Sequence, residues 1–305
     1  MTLDDCLQEF IEDKTLYGLS PKTISCYKEF VGYFIKFLGY DYLVKDLSID
    51  CIKKYISMLM SRDLSINTKA TYIRHLKIFI KWIEKKYCID VGANDIKVPR
   101  TTKKRLYIYS DDDILMIFNS IKCVYAWVTL RNYCIIALML DSGLRQSEVC
   151  NLRYKDFDFK NCIIKVKGKG NKERFVAFGE TTSCFINKYI KECPYDTKEY
   201  LFFTSSGDVL TPNAIKRLIY KINLKLPFEV SSHKLRHNFA TNYILDQYKE
   251  KGDVDIYRLK SLMGHSDIET TENYLHIANE FIASNNSISH LDNYLKEKFV
   301  KKVPM

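Results

Sequence analysis

A helical pattern of apolar residues fails abruptly between Cys88 and Tyr107, where Gly92, Asn94, Pro99 and the run Lys103-Lys104-Arg105 take its place, and the break dictates a chain built in two parts. Glycine, asparagine and proline at this density interrupt helices and strands alike. The stretch therefore reads as an exposed basic linker between domains. Length agrees, since 305 residues with 47% hydrophobic side chains are long for one compact core and sufficient for two. The expected division is residues 1–90, a linker over 91–108, a second domain over 109–285 and a tail over 286–305.

Four helices are expected in the first part. Leu3 to Leu16 is followed by Ser20-Pro21, an N-cap and a proline at the first helical position, which opens a helix through Leu38. A third begins near Ser48. Ser65 caps the fourth, in which Ile73, Leu76, Ile80, Ile83 and Tyr87 recur at helical spacing and should face the core. On a neighbouring face Arg74, Lys77, Lys81 and Lys85 form a cationic stripe that can follow a phosphate backbone, or equally stand as a solvated lysine-rich face. Charge is uneven here: residues 1–60 carry 7 Lys+Arg against 9 Asp+Glu, residues 61–105 carry 12 against 4. With Lys103, Lys104 and Arg105, the basic half points towards the second domain as a clamp for a duplex.

The second part mixes helix with a little strand. Ser110 to Asp113 reads as a helix start, Arg131 to Leu140 as a buried helix and Ser147 to Leu152 as a short one. Asn161–Lys167 and Arg174–Phe178 are β-rich runs joined by a glycine-containing turn, hence a hairpin. The fold class expected is mainly α with a small antiparallel β-sheet. The longest apolar run, Tyr133 to Leu140, falls far short of the roughly 18 residues a membrane span needs. The acidic start Met1-Thr2-Leu3-Asp4-Asp5 is unlike a signal peptide, so the chain reads as cytoplasmic, with its ten cysteines, none in a Cys-x-x-Cys pair, as small core residues. A net charge of +10 favours polyanionic partners without naming one.

Side chains suited to phosphoryl transfer concentrate in four segments: Ser142-Gly143-Leu144-Arg145-Gln146-Ser147-Glu148, the turn from Gly168 to Arg174, Ser232-His233-Lys234-Leu235-Arg236-His237, and Gly264-His265-Ser266 followed by Tyr274. A phosphodiester under attack gathers negative charge on its non-bridging oxygens, and guanidinium groups meet that charge bidentately without losing their protons. Arg145 and Arg236 are the candidates, although Arg145 can also pair with Glu148 one turn on. His233 and Arg236 lie three apart after a cap at Ser231 or Ser232, so both project from one side of a first helical turn. His237 reads as a packing or hydrogen-bonding neighbour. Lys169 sits between two glycines at the hairpin tip, where the backbone can approach a ligand closely; Lys172 is its competitor in the same turn. Ser266 with Glu269 forms a capping box for a helix that carries Tyr274 about two turns along.

These four segments, in this order and spacing, resemble the boxes of the tyrosine recombinase and integrase family, and the chain's size is similar to its simple Xer-like members. The resemblance covers nearly the whole chain and implies an N-terminal four-helix, SAM-like core-binding domain and a C-terminal catalytic domain. It implies that Tyr274 is the nucleophile of a 3′-phosphotyrosyl intermediate, Lys169 the general acid for the departing 5′ oxygen and His233 a general base or acid. Arg145, Arg236 and His265 would hold the phosphoryl group, with Glu148 orienting its neighbours. The phosphotyrosine conserves the energy of the broken bond, so no cofactor, ATP or metal is implied. The implied partners are duplex DNA with specific sites and a homotetramer on it, from a chain that can be monomeric in solution. Ser289 to Val300 is expected as a tail helix with Leu291, Tyr294, Leu295 and Phe299 on its apolar side, exchanged between subunits or folded back. The stretch between Arg236 and His265, including Gln247 to Asp255, looks longer than in compact members and is expected to enlarge a loop. The uses implied are integration or excision of a mobile element, or resolution of chromosome dimers, in a bacterial cytoplasm. A type IB topoisomerase and a catalytically silent DNA-binding regulator are the alternative readings.

Overall fold

The computed structural model describes residues 1–101, 107–168, 172–264, 267–268, 271–272 and 274–275, and the chain divides into two compact units, Met1–Lys104 and Arg105–Met305. Lys103, Lys104, Arg105, Lys169, His265, the Ser266/Glu269 capping box and the expected tail helix lie outside the described residues.

The first unit is four helices: α1 (Leu3–Leu16), α2 (Pro21–Leu38), α3 (Ile49–Ser61) and α4 (Ile66–Tyr87). Each begins where its cap chemistry places it. Thr2 and Asp5 close a capping box, Ser20 accepts from the Thr23 amide ahead of Pro21, and Ser65 accepts from the Thr68 amide. Ile73, Leu76, Phe79, Ile80 and Ile83 of α4 are fully buried against Phe10, Val31, Phe34 and Tyr55, so the expected core face is the observed one. The segment after α4 differs from the expected exposed linker, because Val91, Ala93 and Ile96 are buried in the same core. Glu84 accepts from the Val91 and Ala93 amides, and Lys77 Nζ donates to the Ile96 carbonyl at 2.7 Å. Helix breakers there mark a turn folded back on the helix, and the apolar residues between them do the packing.

The second unit is built around α6 (Ala126–Asp141), whose Cys134, Ile135, Ile136, Leu138 and Met139 are buried on nearly all sides. Preceding it is α5 (Asp111–Ser120), opened by the Ser110/Asp113 capping box, and following it is the short α7 (Gln146–Cys150). A three-stranded antiparallel sheet then forms from β1 (Phe157–Asp158), β2 (Ile163–Lys167) and β3 (Glu173–Ala177), with Ile163 opposite Ala177 and Lys167 opposite Glu173. The hairpin is the expected one; β1 is too short to show a period. Four helices follow the sheet: α8 (Glu180–Glu192), α9 (Pro212–Asn223), α10 (Ser232–Lys251) and α11 (Ile256–Met263). Both α8 and α10 pack on α6. The extra chain at Gln247 to Asp255 is mostly helix rather than loop, since α10 continues to Lys251 and Asp255 caps α11. Among the described residues no helix is long and apolar enough to cross a membrane.

Candidate active site

The site begins at the turn that joins α6 to α7. Gly143 adopts φ +61°, and a Cβ there would run into the Phe239 ring of α10, so only glycine lets the α6–α7 turn lie this close to α10. That turn sets Arg145 at the N-terminus of α7. Its backbone N–H donates to Glu148 Oε2 at 2.7 Å, Nη1 to Glu148 Oε1 at 2.9 Å and Nη2 to the Gly264 carbonyl at 2.9 Å. The pairing of Arg145 with Glu148 is therefore real, and it spends only one edge of a guanidinium that remains 35% exposed.

Glu148 is the hub, with its side chain only 3% exposed. Besides Arg145 it accepts two bonds from Arg174 of β3, Nη1 to Oε1 at 2.7 Å and Nη2 to Oε2 at 2.9 Å, while Arg236 Nη1 lies 4.0 Å from Oε2. Burial would raise the carboxyl, but the hydrogen bonds and charge of Arg174 and Arg145 outweigh it and hold Glu148 at about 2. Arg174 also donates Nε to the Leu262 carbonyl at 2.8 Å, and a Cβ on Gly264 would sit 3.2 Å from its Nη1. One side chain thus ties the hairpin strand to the Arg145 turn and to the chain before Gly264. Arg174 was not among the candidates drawn from sequence. A signal existed in the alternation of β3, which turns Arg174 to the same side as buried Val176, opposite Val166.

From α10 come three neighbours. Ser231 is the cap, accepting from the Lys234 amide, and Gln146 Nε2 donates to Ser232 Oγ at 2.6 Å, which joins the α7 start to the α10 start. His233 is exposed on the first turn, while Arg236 is buried and donates to the Gly143 and Met263 carbonyls. Burial and repulsion by Arg145 pull the Arg236 guanidinium down to about 10, which leaves it charged near neutrality.

Tyr274 completes the group. Ile268, Thr271, Glu272, Tyr274 and Leu275 are helical, as expected for the chain after Gly264, and Tyr274 is 2% exposed against Ala240, Ile244, Leu259 and Met263. Its hydroxyl lies 2.6 Å from His237 Nδ1. Burial raises the phenol to about 12 against the pull of Arg236 and Arg145. Burial likewise lowers His237 to about 4, helped by the nearby His233 and Arg236. Thus Arg145, Glu148, Arg236 and Tyr274 come together and His233 flanks them.

The cationic stripe of α4 belongs to the other unit. Arg74, Lys81 and Lys85 are exposed, whereas Lys77 is half-buried and holds the Asn94 and Ile96 carbonyls.

Residues 111–280, more than half of the chain, match the phage integrase family, and residues 6–90 match the phage integrase N-terminal SAM-like domain. The chain belongs to the phage integrase family, and with it to the tyrosine recombinases, enzymes of DNA strand cleavage and ligation. Among its relatives, tyrosine recombinase XerA of Pyrococcus horikoshii is 29% identical over 282 residues, covering 91% of each chain. Tyrosine recombinase XerC of Anoxybacillus flavithermus is 27% identical over 282 residues, covering 86% of this chain and 89% of its own. The fold is shared with the Tn1549 transposon integrase in complex with a circular intermediate DNA, at TM-score 0.71 and 20% identity over 94% of this chain and 100% of that one. It is shared too with a lambda integrase dimer bound to a COC′ core site, at TM-score 0.71 and 17% identity over 90% of this chain and 95% of that one.

Proposed function

We propose that this chain recombines duplex DNA at specific sites by attack of Tyr274 on a backbone phosphate, forming a 3′-phosphotyrosyl bond and releasing a 5′ hydroxyl. The observation that carries the reading is the convergence of Arg145, which donates to the Gly264 carbonyl, and Arg236, which donates to the Met263 carbonyl, beside Tyr274, which packs against Met263. Two fixed guanidinium groups beside one phenol suit a phosphoryl group gaining charge during in-line attack. Glu148, fully ionised at neutral pH, keeps Arg145 oriented and balances the crowding of Arg145, Arg174 and Arg236. His233 and His265 would contact the same phosphate, and Lys169 would protonate the departing 5′ oxygen. Attack by a 5′ hydroxyl of a second duplex reverses the chemistry and completes strand exchange. The relatives named XerA and XerC support the recombinase reading across nearly the full chain.

In this reading Arg74, Lys81 and Lys85 meet phosphates, with Lys103, Lys104 and Arg105 following the same duplex, and four subunits assemble on two sites. The test uses duplexes that the protein itself selects from a randomised library, each then made with a nick just 3′ of the cut position so that the short fragment bearing the freed 5′ hydroxyl diffuses away and the adduct is trapped. Wild-type protein is expected to accumulate a covalent protein–DNA species, and Tyr274→Phe none while still binding. An adduct with Tyr274→Phe, or binding without any adduct in the wild type, would overturn the proposal, the latter in favour of a silent regulator. Relaxation of supercoils with no selected site and no joining of two duplexes would point to a topoisomerase.

A further inference from the structure

Among the described residues His237 contacts the Tyr274 oxygen, and it is a histidine to which the family boxes, as matched to this chain, give no catalytic role. We infer that His237, rather than His233, is the catalytic base that accepts the phenolic proton as Tyr274 attacks the phosphate. The inference rests on the proposed role of Tyr274 as nucleophile.

Geometry is the first support. Nδ1 of His237 lies 2.6 Å from the Tyr274 hydroxyl, whereas His233 stands exposed one turn earlier on α10. A base must reach the proton it removes, and only direct contact or one water meets that need. The ring is also held in place from both sides. Arg236 before it is bound to the Gly143 and Met263 carbonyls, and Asn238 after it accepts from the Tyr109 amide at 2.8 Å, so α10 cannot turn to withdraw the imidazole. The phenol is the better donor of the pair, which sets the proton of neutral His237 on Nε2 and leaves Nδ1 as acceptor.

Charge is the second support. The groups facing His237 are His233 and Arg236 on its own helix and Tyr274 from the chain after Gly264, with Arg145 and Glu148 next to Arg236. Burial first, then the neighbouring His233 and the Arg236 guanidinium, keep the imidazole neutral at rest, at about 4, while burial keeps the phenol protonated. With the site empty the proton therefore stays on oxygen, and the nucleophile is dormant. A bound phosphodiester brings a negative charge beside the Arg236 guanidinium, offsets its repulsion of a second cation and raises the basicity of His237. Base strength would then follow substrate binding.

The step balances as follows. The O–H bond of Tyr274 breaks and its proton joins His237 Nδ1 as the phenolic oxygen bonds to phosphorus. The bond from phosphorus to the 5′ oxygen breaks, and Lys169 delivers a proton to that oxygen to give a neutral hydroxyl. In the return reaction imidazolium hands the proton back to the departing phenolate.

The deciding variant is His237→Asn, because the asparagine Oδ1 occupies the place of Nδ1 and can still accept the phenolic hydrogen bond, but cannot take up the proton. Adduct formation is followed on the selected nicked duplexes across a pH series, with 5′ oxygen and with 5′ sulfur at the scissile position; sulfur leaves without needing an acid. The expected outcome is a fall of about 100- to 10,000-fold in the rate of adduct formation near pH 7. DNA binding and thermal midpoint should be kept, and the rate should climb about tenfold per pH unit into the alkaline range. Sulfur should leave His237→Asn slow while restoring Lys169→Ala. A rate within about threefold of wild type with the same pH profile would overturn the inference. So would rescue of His237→Asn by sulfur, which would move the residue to the leaving-group side. If His237→Asn loses its fold, His237→Gln is tested by the same criteria. An adduct from Tyr274→Phe in the same series would instead overturn the assignment of the nucleophile.

Discussion

Replacing Glu148 with glutamine changes little in shape and removes one charge from the centre of three guanidinium groups. The carboxylate is buried and accepts from the Arg145 amide, Arg145 Nη1 and both terminal nitrogens of Arg174. Arg174 and Arg145 hold it at about 2, against a usual value of 4.5, despite its burial. At about 1.4 kcal/mol per unit, the ionised form contributes roughly 3 kcal/mol that a neutral isostere lacks. Removing one partner of a buried ion pair costs about 3–5 kcal/mol, a range that agrees. The sign follows from the depressed value: the contribution is complete above about 4.5 and is lost as pH falls through about 2. Urea unfolding monitored by Trp127 in a Trp82→Phe background reports on this unit, since the chain has only two tryptophans. With a slope of about 1–3 kcal/mol per molar urea, the midpoint of Glu148→Gln near pH 7 should fall by about 1–3 M. The gap to the parent should nearly close by about pH 2. Equal midpoints near pH 7, or a gap independent of pH, would refute the reasoning that charge at this hub holds the site together.

Two further outcomes follow from the geometry. Gly143→Ala forces a side chain into left-handed backbone and against the Phe239 ring, so thermal unfolding should show a loss of about 2 kcal/mol or more; an unchanged midpoint would contradict the close approach of the α6–α7 turn to α10. Lys81→Gln should reduce the salt dependence of DNA binding by about 0.9 in the log–log slope, whereas Lys77→Gln should leave that slope nearly unchanged, because the Lys77 ammonium is already committed to the Asn94 and Ile96 carbonyls. Equal effects of the two would place Lys77 on the duplex.

Much of this was legible in the chain. The serine and threonine caps, Pro21 and the apolar spacing of α4 are local signals, and local signals survive folding. So does the alternation on either side of a glycine turn that marks the β2–β3 hairpin. The four boxes led to Arg145, Glu148, Arg236 and Tyr274, which the fold unites. What escaped depends on contacts between distant segments. Arg174 looks like a strand residue until Glu148 and the Leu262 carbonyl, 26 and 88 positions away, are placed beside it. His237 looks like a packing histidine until Tyr274 arrives. Lys77 belongs by spacing to a cationic stripe, yet the turn after α4 folds back and takes its ammonium. The stretch between Arg236 and His265 reads as an enlarged loop from its length alone; α10 nevertheless continues to Lys251, and Asp255 caps α11.

Mass spectrometry of the trapped protein–DNA species tests the central claim most directly. After nuclease and protease digestion, the account requires a single nucleotide-bearing peptide, with the phosphate ester on the oxygen of Tyr274 and the nucleotide joined through its 3′ end. A modified peptide that excludes Tyr274, or a nucleotide attached through its 5′ end, would contradict it.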